Sequence, residues 1–289
     1  MHRHRRRLAL VSILLVATAA ASCAAVPYTY GIEGREEKDI FWPGEPQITR
    51  GEPIAWLDGL GHYVVSLPSK LILWNWDVDR HRISPETEEA LRCYLEDNGM
   101  RGVKVRLNEY DPGDEVRRLF ENDSVGWFWR YTIGLLSVGF YTILPGRLFG
   151  GDNYNPYTNT ISIYSDDPAI LLHEAGHAKD FARRKWKGSY AALRILPLVP
   201  LYHEGKATSD AIGYTIDKQQ RAEQKGAYKV LYPAYGTYVS GEAGRWFALG
   251  YLESLAVALA GAIPGHIAGR IAAARVEDEP VPAGEAPRE

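Results

Sequence analysis

His173, Glu174 and His177 are the residues whose types and spacing could do chemistry together, in the run Leu171-Leu172-His173-Glu174-Ala175-Gly176-His177. Four residues apart on a helix, the two imidazoles lie on one face and can share one metal ion. Glu174, next to the first histidine, can hold a water beside that metal. This is the H-E-x-x-H spacing by which zinc is held and a water activated. The flanks predict the helix that the spacing needs. Asp167 can serve as N-cap, with Pro168 at the first helical position. Arg183, Arg184 and Lys185 fall near the C-terminal end, where cations complement the helix dipole, and Gly188 offers a stop.

Two histidines leave a catalytic zinc site one protein ligand short. The segment Tyr202 to Tyr214 offers three candidates, His203, Glu204 and Asp210, on a helix that Pro200 can begin. Glu204 shares a face with Ala207, Thr208, Ala211 and Thr215, small enough for close approach to another helix. His203 and Asp210 share a face with Lys206 and Asp217, which suits solvent or a salt bridge. The reading favours Glu204, with Asp210 as the alternative.

His173, Glu174, His177 and a downstream helical glutamate resemble the gluzincin branch of the zincin metallopeptidases, over about Thr158 to Ile216. The resemblance implies zinc on His173, His177 and Glu204, with Glu174 as general base. Thermolysin-like members carry an aspartate where this chain has Thr208. The metzincin pattern is not met, because Arg183 stands where that branch has its third histidine; Asp180 is then a supporting acid. A donor for the developing oxyanion is also required. Tyr214, His203, Tyr235 and Tyr202 are candidates, each also readable as a packing aromatic.

The elements that must position these residues are read from periodicity. Thr160 to Tyr164 alternates as a strand with Ile161 and Ile163 on one face, after a turn at Asn153 to Asn159. Its place just before the metal helix suggests a sheet edge able to pair with an extended substrate. Upstream, Leu71 to Val78 has the apolar and aromatic bias of a strand, Ser84-Pro85-Glu86 opens a helix ending before Gly99, Val103 to Leu107 reads as a strand and Asp114 to Phe120 as a short helix. Downstream, Tyr214 to Tyr228 continues the ligand helix and Tyr232 to Tyr238 reads as a tyrosine-rich loop. The expected class is α+β: a zincin-like core with a mixed-sheet edge strand packed on the H-E-x-x-H helix, and a second ligand-bearing helix.

The remaining chain bears on location. Its 289 residues carry a net charge of −3; without residues 1–22, the 33 basic residues fall by four arginines to 29 against 36 acids, a formal −7. That balance argues against nucleic acid as a partner. Residues 1–22 read as a signal peptide, a basic start followed by the apolar run Leu8 to Ala21. The stretch Ala20-Ala21-Ser22-Cys23 resembles the lipobox of bacterial lipoproteins, with Ala20 where a larger aliphatic is usual, and implies lipid on Cys23. An ordinary secretory signal cleaved near Ala21 is the other reading. Cys93 is then a lone structural thiol.

Two apolar stretches follow. Tyr131 to Leu144 is 14 residues long, short of the ~20 that span a bilayer, and is flanked by tryptophans and arginines. Trp246 to Ile263 carries one charge, Glu253, with small residues Gly250, Ser254 and Ala258, then Gly261, Gly265 and Gly269. Each is either core or a membrane contact. The expected layout is signal peptide 1–22, tether and irregular segment 23–68, a small α/β unit 69–124, an apolar segment 125–149, the metallopeptidase core 150–245, an apolar helix 246–275 and a disordered tail 276–289.

These features make the chain an exported, lipid-anchored zinc metallohydrolase of the bacterial cell envelope, with a peptide or protein as substrate. The membrane partner would be reached through the lipid anchor and through segments 131–144 and 246–263. Two alternatives stay open. One is a non-catalytic envelope protein with a structural or vestigial zinc site, and the other is a zinc hydrolase of a non-peptide bond.

Overall fold

The computed structural model describes residues 27–32, 40–140, 151–245 and 250–277. The signal peptide, the proposed lipidation at Cys23, the last part of the 131–144 run and the tail from 278 lie outside the described residues.

The fold is α+β, mostly helical, around one mixed sheet of four strands: β1 (Ile48–Arg50), β2 (Lys104–Leu107), β3 (Asn153–Asn155) and β4 (Thr160–Ile163). The spatial order is β1-β2-β4-β3, parallel for the first two pairings and antiparallel for the last. β4 is therefore internal, and the edge strand packed against the H-E-x-x-H helix is β3. The expected edge and the expected turn exchange places here: Asn153 to Asn155 is strand, and Pro156 to Asn159 alone makes the turn. Asn155 Oδ1 accepts from the Tyr157 amide at 3.0 Å, and Asn159 takes the left-handed conformation (φ 55°) that asparagine tolerates. Because β1 and β2 share this sheet, segments 23–68 and 69–124 are joined to the core rather than standing apart.

One face of the central strands is apolar, with Val105, Leu107, Ile161 and Ile163 all fully buried. The opposite face of β2 buries Lys104, which pairs with Glu45 at 2.8 Å, and Arg106, which is ringed by Glu109, Asp114 and Glu115. Acids on three sides, acting against the burial, hold the Arg106 guanidinium charged.

The helices in chain order are α1 (Ala55–Leu60), α2 (Leu67–Leu73), α3 (Pro85–Asp97), α4 (Pro112–Glu121), α5 (Trp127–Trp129), α6 (Leu135–Val138), α7 (Pro168–Ala182), α8 (Lys187–Ala192), α9 (Val199–Asp217), α10 (Arg221–Gly244) and α11 (Tyr251–Ala274). α3 opens as expected, with Ser84 accepting from Thr87; α4 starts two residues before the expected Asp114, capped by Asp111, which accepts from the Asp114 amide.

Several expectations fail for identifiable reasons. Leu71 to Val78 is the end of α2 and a turn, not a strand. Four apolar residues in a row carry no period, Pro68 opens the helix, and Trp74 (φ 51°) closes it. Residues 24–68 hold β1, α1 and a π-helical turn at Gly61–Val65 as well as irregular chain. The ligand helix does not run on to Tyr228, since Gln219 (φ 56°) breaks it before α10. Tyr232 to Tyr238 is helical, inside α10 despite Pro233. There α11 presses its glycines onto α10, Gly261 against Gly236, Gly265 against Tyr232 and Pro233, and Gly269 against Tyr228. That close packing outweighs the hydrogen bond the proline forfeits. Finally, α7 ends at Ala182, and Gly188 lies in α8, where it lets Trp129 pack against the backbone.

Candidate metal centre and cleft

α7 begins as its sequence dictates. Asp167 Oδ1 accepts from the Ala169 amide at 2.8 Å, Pro168 follows, and Asn75 donates to Asp167 Oδ2 at 2.7 Å. From Leu171 to Ala182 every residue is buried, so the helix runs through the core with His173 and His177 on one face, their rings 4.7 Å apart. α9 crosses against that face. Gly176 makes the crossing close, because a side chain there would meet the Ala207 carbonyl at 3.1 Å and its Cα at 3.2 Å. Gly176→Val is therefore expected to push the ligand helices apart. It should cost about 1–3 kcal/mol of stability and weaken metal binding; denaturant unfolding and a metal titration of the same variant check both.

The crossing delivers Glu204. Its Oε2 lies 3.1 Å from His173 Nε2 and 3.2 Å from His177 Nε2, and the residue is 1% exposed. Four ligands at about 2.0–2.1 Å in a tetrahedron stand about 3.3–3.4 Å from one another. The two imidazole–carboxylate separations fall just below that spacing, and the three side chains form a buried set whose donor atoms all lie within 4.8 Å of one another and could hold a metal ion. Glu204 Oε1 accepts from Arg194 Nη2 at 2.5 Å, which leaves Oε2 alone facing the histidines. The Thr208 hydroxyl stands 3.4 Å from His173 Nδ1, so it can fix the ring with Nε2 toward the metal. Thr208 thus has a place in the site where the resembled enzymes carry an acid.

The electrostatics follow from burial and pairing. Burial resists ionising Glu204, yet His177, His173 and Arg194 hold its carboxyl well below the usual range. Burial also resists charging His173, but its hydrogen bond to the Glu204 carboxylate and the charge of Glu174 prevail and raise its pKa. Glu174 is raised, chiefly by burial, against the pull of both histidines.

The other ligand candidates are placed elsewhere. Asp210 accepts from Lys179 at 2.8 Å and from the Tyr94 hydroxyl. His203, expected toward solvent, is 1% exposed and packs 4.4 Å from the Tyr190 ring. Neither of its ring nitrogens has a hydrogen-bond partner among the described residues, and burial pushes its pKa down to about 4. Asp180 is the supporting acid expected, accepting from Arg184 and Tyr190 and pairing with Lys206 at 3.0 Å across to α9. Of the oxyanion candidates, Tyr214 donates to Asp97 at 2.7 Å beside Tyr94, and Tyr202 is half exposed. Tyr235 lines a hollow beside His173 and Glu174, but its hydroxyl contacts the Leu201 carbonyl. Cys93 is exposed on α3.

A cleft of about 560 Å³ opens on Glu174, His177 and Glu204, and the whole of β3 forms part of its wall. Most of its lining was not singled out from the sequence, and three of those residues bear on the site. Arg194, on the 3₁₀ turn Leu193–Ile195, is one. The others are Asn155 and Tyr157, at 5% and 3% exposure, whose Nδ2 and hydroxyl have no partner among the described residues. Burial pushes the Tyr157 phenol up to about 12, which keeps it a donor at neutral pH. The only sequence signal for them was the Asn/Pro/Tyr composition of the turn.

A smaller hollow of about 230 Å³ adjoins the cleft and contains Asp79 and Asp152. Burial first, and Asp152 second, push the Asp79 carboxyl up to about 7, with Lys70 pulling the other way. The folded state thus holds this proton more tightly than the unfolded chain does. Its contribution to stability is full below the unfolded value near 3.8 and is lost as pH rises to about 7. Asp79→Asn, tolerated at φ 44°, is expected to raise Tm by several degrees at pH 8 and to flatten the decline between pH 4 and 7, as measured by thermal melts.

No protein-family model, curated protein or solved structure matches this chain.

Proposed function

We propose that the chain is a zinc metallohydrolase that cleaves peptide bonds, with His173, His177 and Glu204 as metal ligands and Glu174 as general base. The observation that supports the reading is the buried set His173, His177 and Glu204, two of which line a cleft walled by β3, a sheet edge with no further strand among the described residues. A buried site with no cleft would suit a structural metal better.

When bound, zinc supplies a lowered pKa for water, towards ~7, and Lewis acidity for the scissile carbonyl. Glu174 takes the proton of the attacking water and returns it to the leaving amine. The outer edge of β3, without a further strand among the described residues, aligns an extended peptide by main-chain pairing. Asn155 and Tyr157 line the same cleft with Nδ2 and hydroxyl buried and without a partner among the described residues, so a side-chain rotation is required before either can donate to a substrate oxygen. Arg194 holds the outer oxygen of Glu204 so that a single oxygen is offered to the metal.

The test is metal analysis together with cleavage of a peptide mixture read by mass spectrometry. One zinc per chain, and cleavage that stops with a chelator and returns with zinc, are expected. A chain that takes up no zinc, or whose cleavage is indifferent to chelation, overturns the reading. Zinc without cleavage favours the structural alternative. Export and a lipid on Cys23 belong to the same proposal and are checked by the mass of the mature N-terminal peptide.

A further inference from the structure

α11 is long and apolar enough to cross a bilayer, yet only 17% of its most apolar 18-residue window is buried. Its inner face is glycine, pressed onto α10 at Gly261, Gly265 and Gly269. Its outer face repeats a large aliphatic every fourth residue: Leu259, Ile263, Ile267 and Ile271, 46 to 58% exposed. No charged side chain occurs between Ser254 and Arg270, and His266 is buried with Nε2 2.8 Å from the Ile72 carbonyl. An aliphatic stripe of this length in water needs a cover.

Its surroundings say which cover. Trp74, 66% exposed, stacks on His266 at 4.4 Å, and the Arg270 guanidinium lies 4.6 Å from the same indole. Tryptophan and arginine beside an aliphatic band are the side chains that settle at a bilayer interface. The contacts of Gly261, Gly265 and Gly269 with Gly236, Tyr232 and Tyr228 make the two helices antiparallel. Continuing that register brings Arg275 level with Arg221 and Lys225, with Lys229 one turn further along α10. With Arg270 this end carries five basic residues, against the two acids Glu223 and Glu277. Such an end suits anionic headgroups.

Geometry also separates lying from spanning. α10 runs along the inner face of α11 and packs on α9 and α7. A spanning α11 would draw Lys229 and Glu242 of α10 into hydrocarbon, together with the α9 and α7 surfaces packed on α10, at a high cost. A helix lying in the interface plane leaves them outside the hydrocarbon.

We propose that the outer face of α11 is a membrane-lying surface, with Leu259, Ile263, Ile267 and Ile271 entering an anionic bilayer and Trp74, Arg270 and the basic end of the α10–α11 hairpin at the headgroups. The inference is independent of the metal centre.

The test uses the full chain in phosphatidylglycerol–phosphatidylcholine vesicles. A nitroxide is attached through Ile263→Cys or Ile267→Cys in a Cys23→Ser, Cys93→Ser background. The reference label sits on native Cys93 in the Cys23→Ser chain. The two α11 labels are expected to be relaxed more by oxygen, which concentrates in hydrocarbon, than by an aqueous nickel chelate, with the reverse order at Cys93. Labels at 263 and 267 as open to nickel as the label at Cys93 would overturn the proposal, and would mean that any attachment is made elsewhere in the chain. Labels shielded from both reagents, with a doubled mass in vesicle-free solution, would assign the face to a second copy and overturn it equally. Both substitutions fall on exposed positions, and unchanged circular dichroism of the labelled chains confirms folding.

Discussion

Glu174→Gln is expected to keep the fold and a full complement of zinc while lowering peptide cleavage by at least ~10²–10⁴-fold. The two side chains have the same shape, and the three donors of the metal set are untouched by the change. What is lost is the ability to take a proton from water and deliver it to an amine. Glu174 is 8% exposed and lines both the cleft and the adjoining hollow, so it stands where water and substrate would meet. Burial has already raised its pKa, which makes it a better proton acceptor than an ordinary surface carboxylate once ionised. The measurement is the initial cleavage rate alongside the zinc-to-protein ratio. Full activity in a zinc-loaded variant would remove Glu174 from the reaction. Lost zinc would instead make it part of the metal's support.

Glu204→Ala is expected to abolish stoichiometric zinc binding and, with it, cleavage. The carboxylate is the donor that α9 would offer to a metal held by the two histidines, and its two oxygens serve different partners, Oε2 the histidines and Oε1 Arg194. Removing it leaves two buried imidazoles facing a gap and a guanidinium without its acceptor. Because the Arg194 side chain is 34% exposed, water can take over part of that contact. The metal-free protein should therefore lose about 1–3 kcal/mol, the cost of one unsatisfied buried contact rather than of a fully stranded charge. Isothermal titration with zinc and urea unfolding of the metal-free chain read the two effects separately. Retained one-to-one binding would show that the third donor is not Glu204.

How much of this was readable follows from which forces are local. The start of α7 was legible because Asp167 and Pro168 act within one turn, and the pairing of His173 with His177 because helical spacing alone aligns them. The preference for Glu204 rested on the small residues of its face, and Ala207 is indeed the residue that Gly176 meets. Strand order was not legible. β4 alternates correctly, but nothing in its own sequence says that β2 takes one side and β3 the other. For the same reason Asn155 and Tyr157 stayed hidden in a segment read as a turn. Leu71 to Val78 misled because an unbroken apolar run has no period, and Pro233 because a helix partner decides whether a proline is tolerated. His203 misled in another way. Its helical face carries charges, yet Tyr190 and Phe181 from neighbouring elements close over it.

The brevity of β3 sets a reading frame. Three residues at about 3.3–3.4 Å each give about 10 Å of main-chain register. A strand laid along that edge is gripped over roughly three residues, and its side chains alternate, so only one or two of them face the cleft. Further length in a substrate adds chain that the sheet does not hold. On the proposed peptidase reading, recognition would depend on a short window around the scissile bond, in the manner of a caliper rather than a template, and the residues around Glu174 would have to supply whatever selectivity the edge does not.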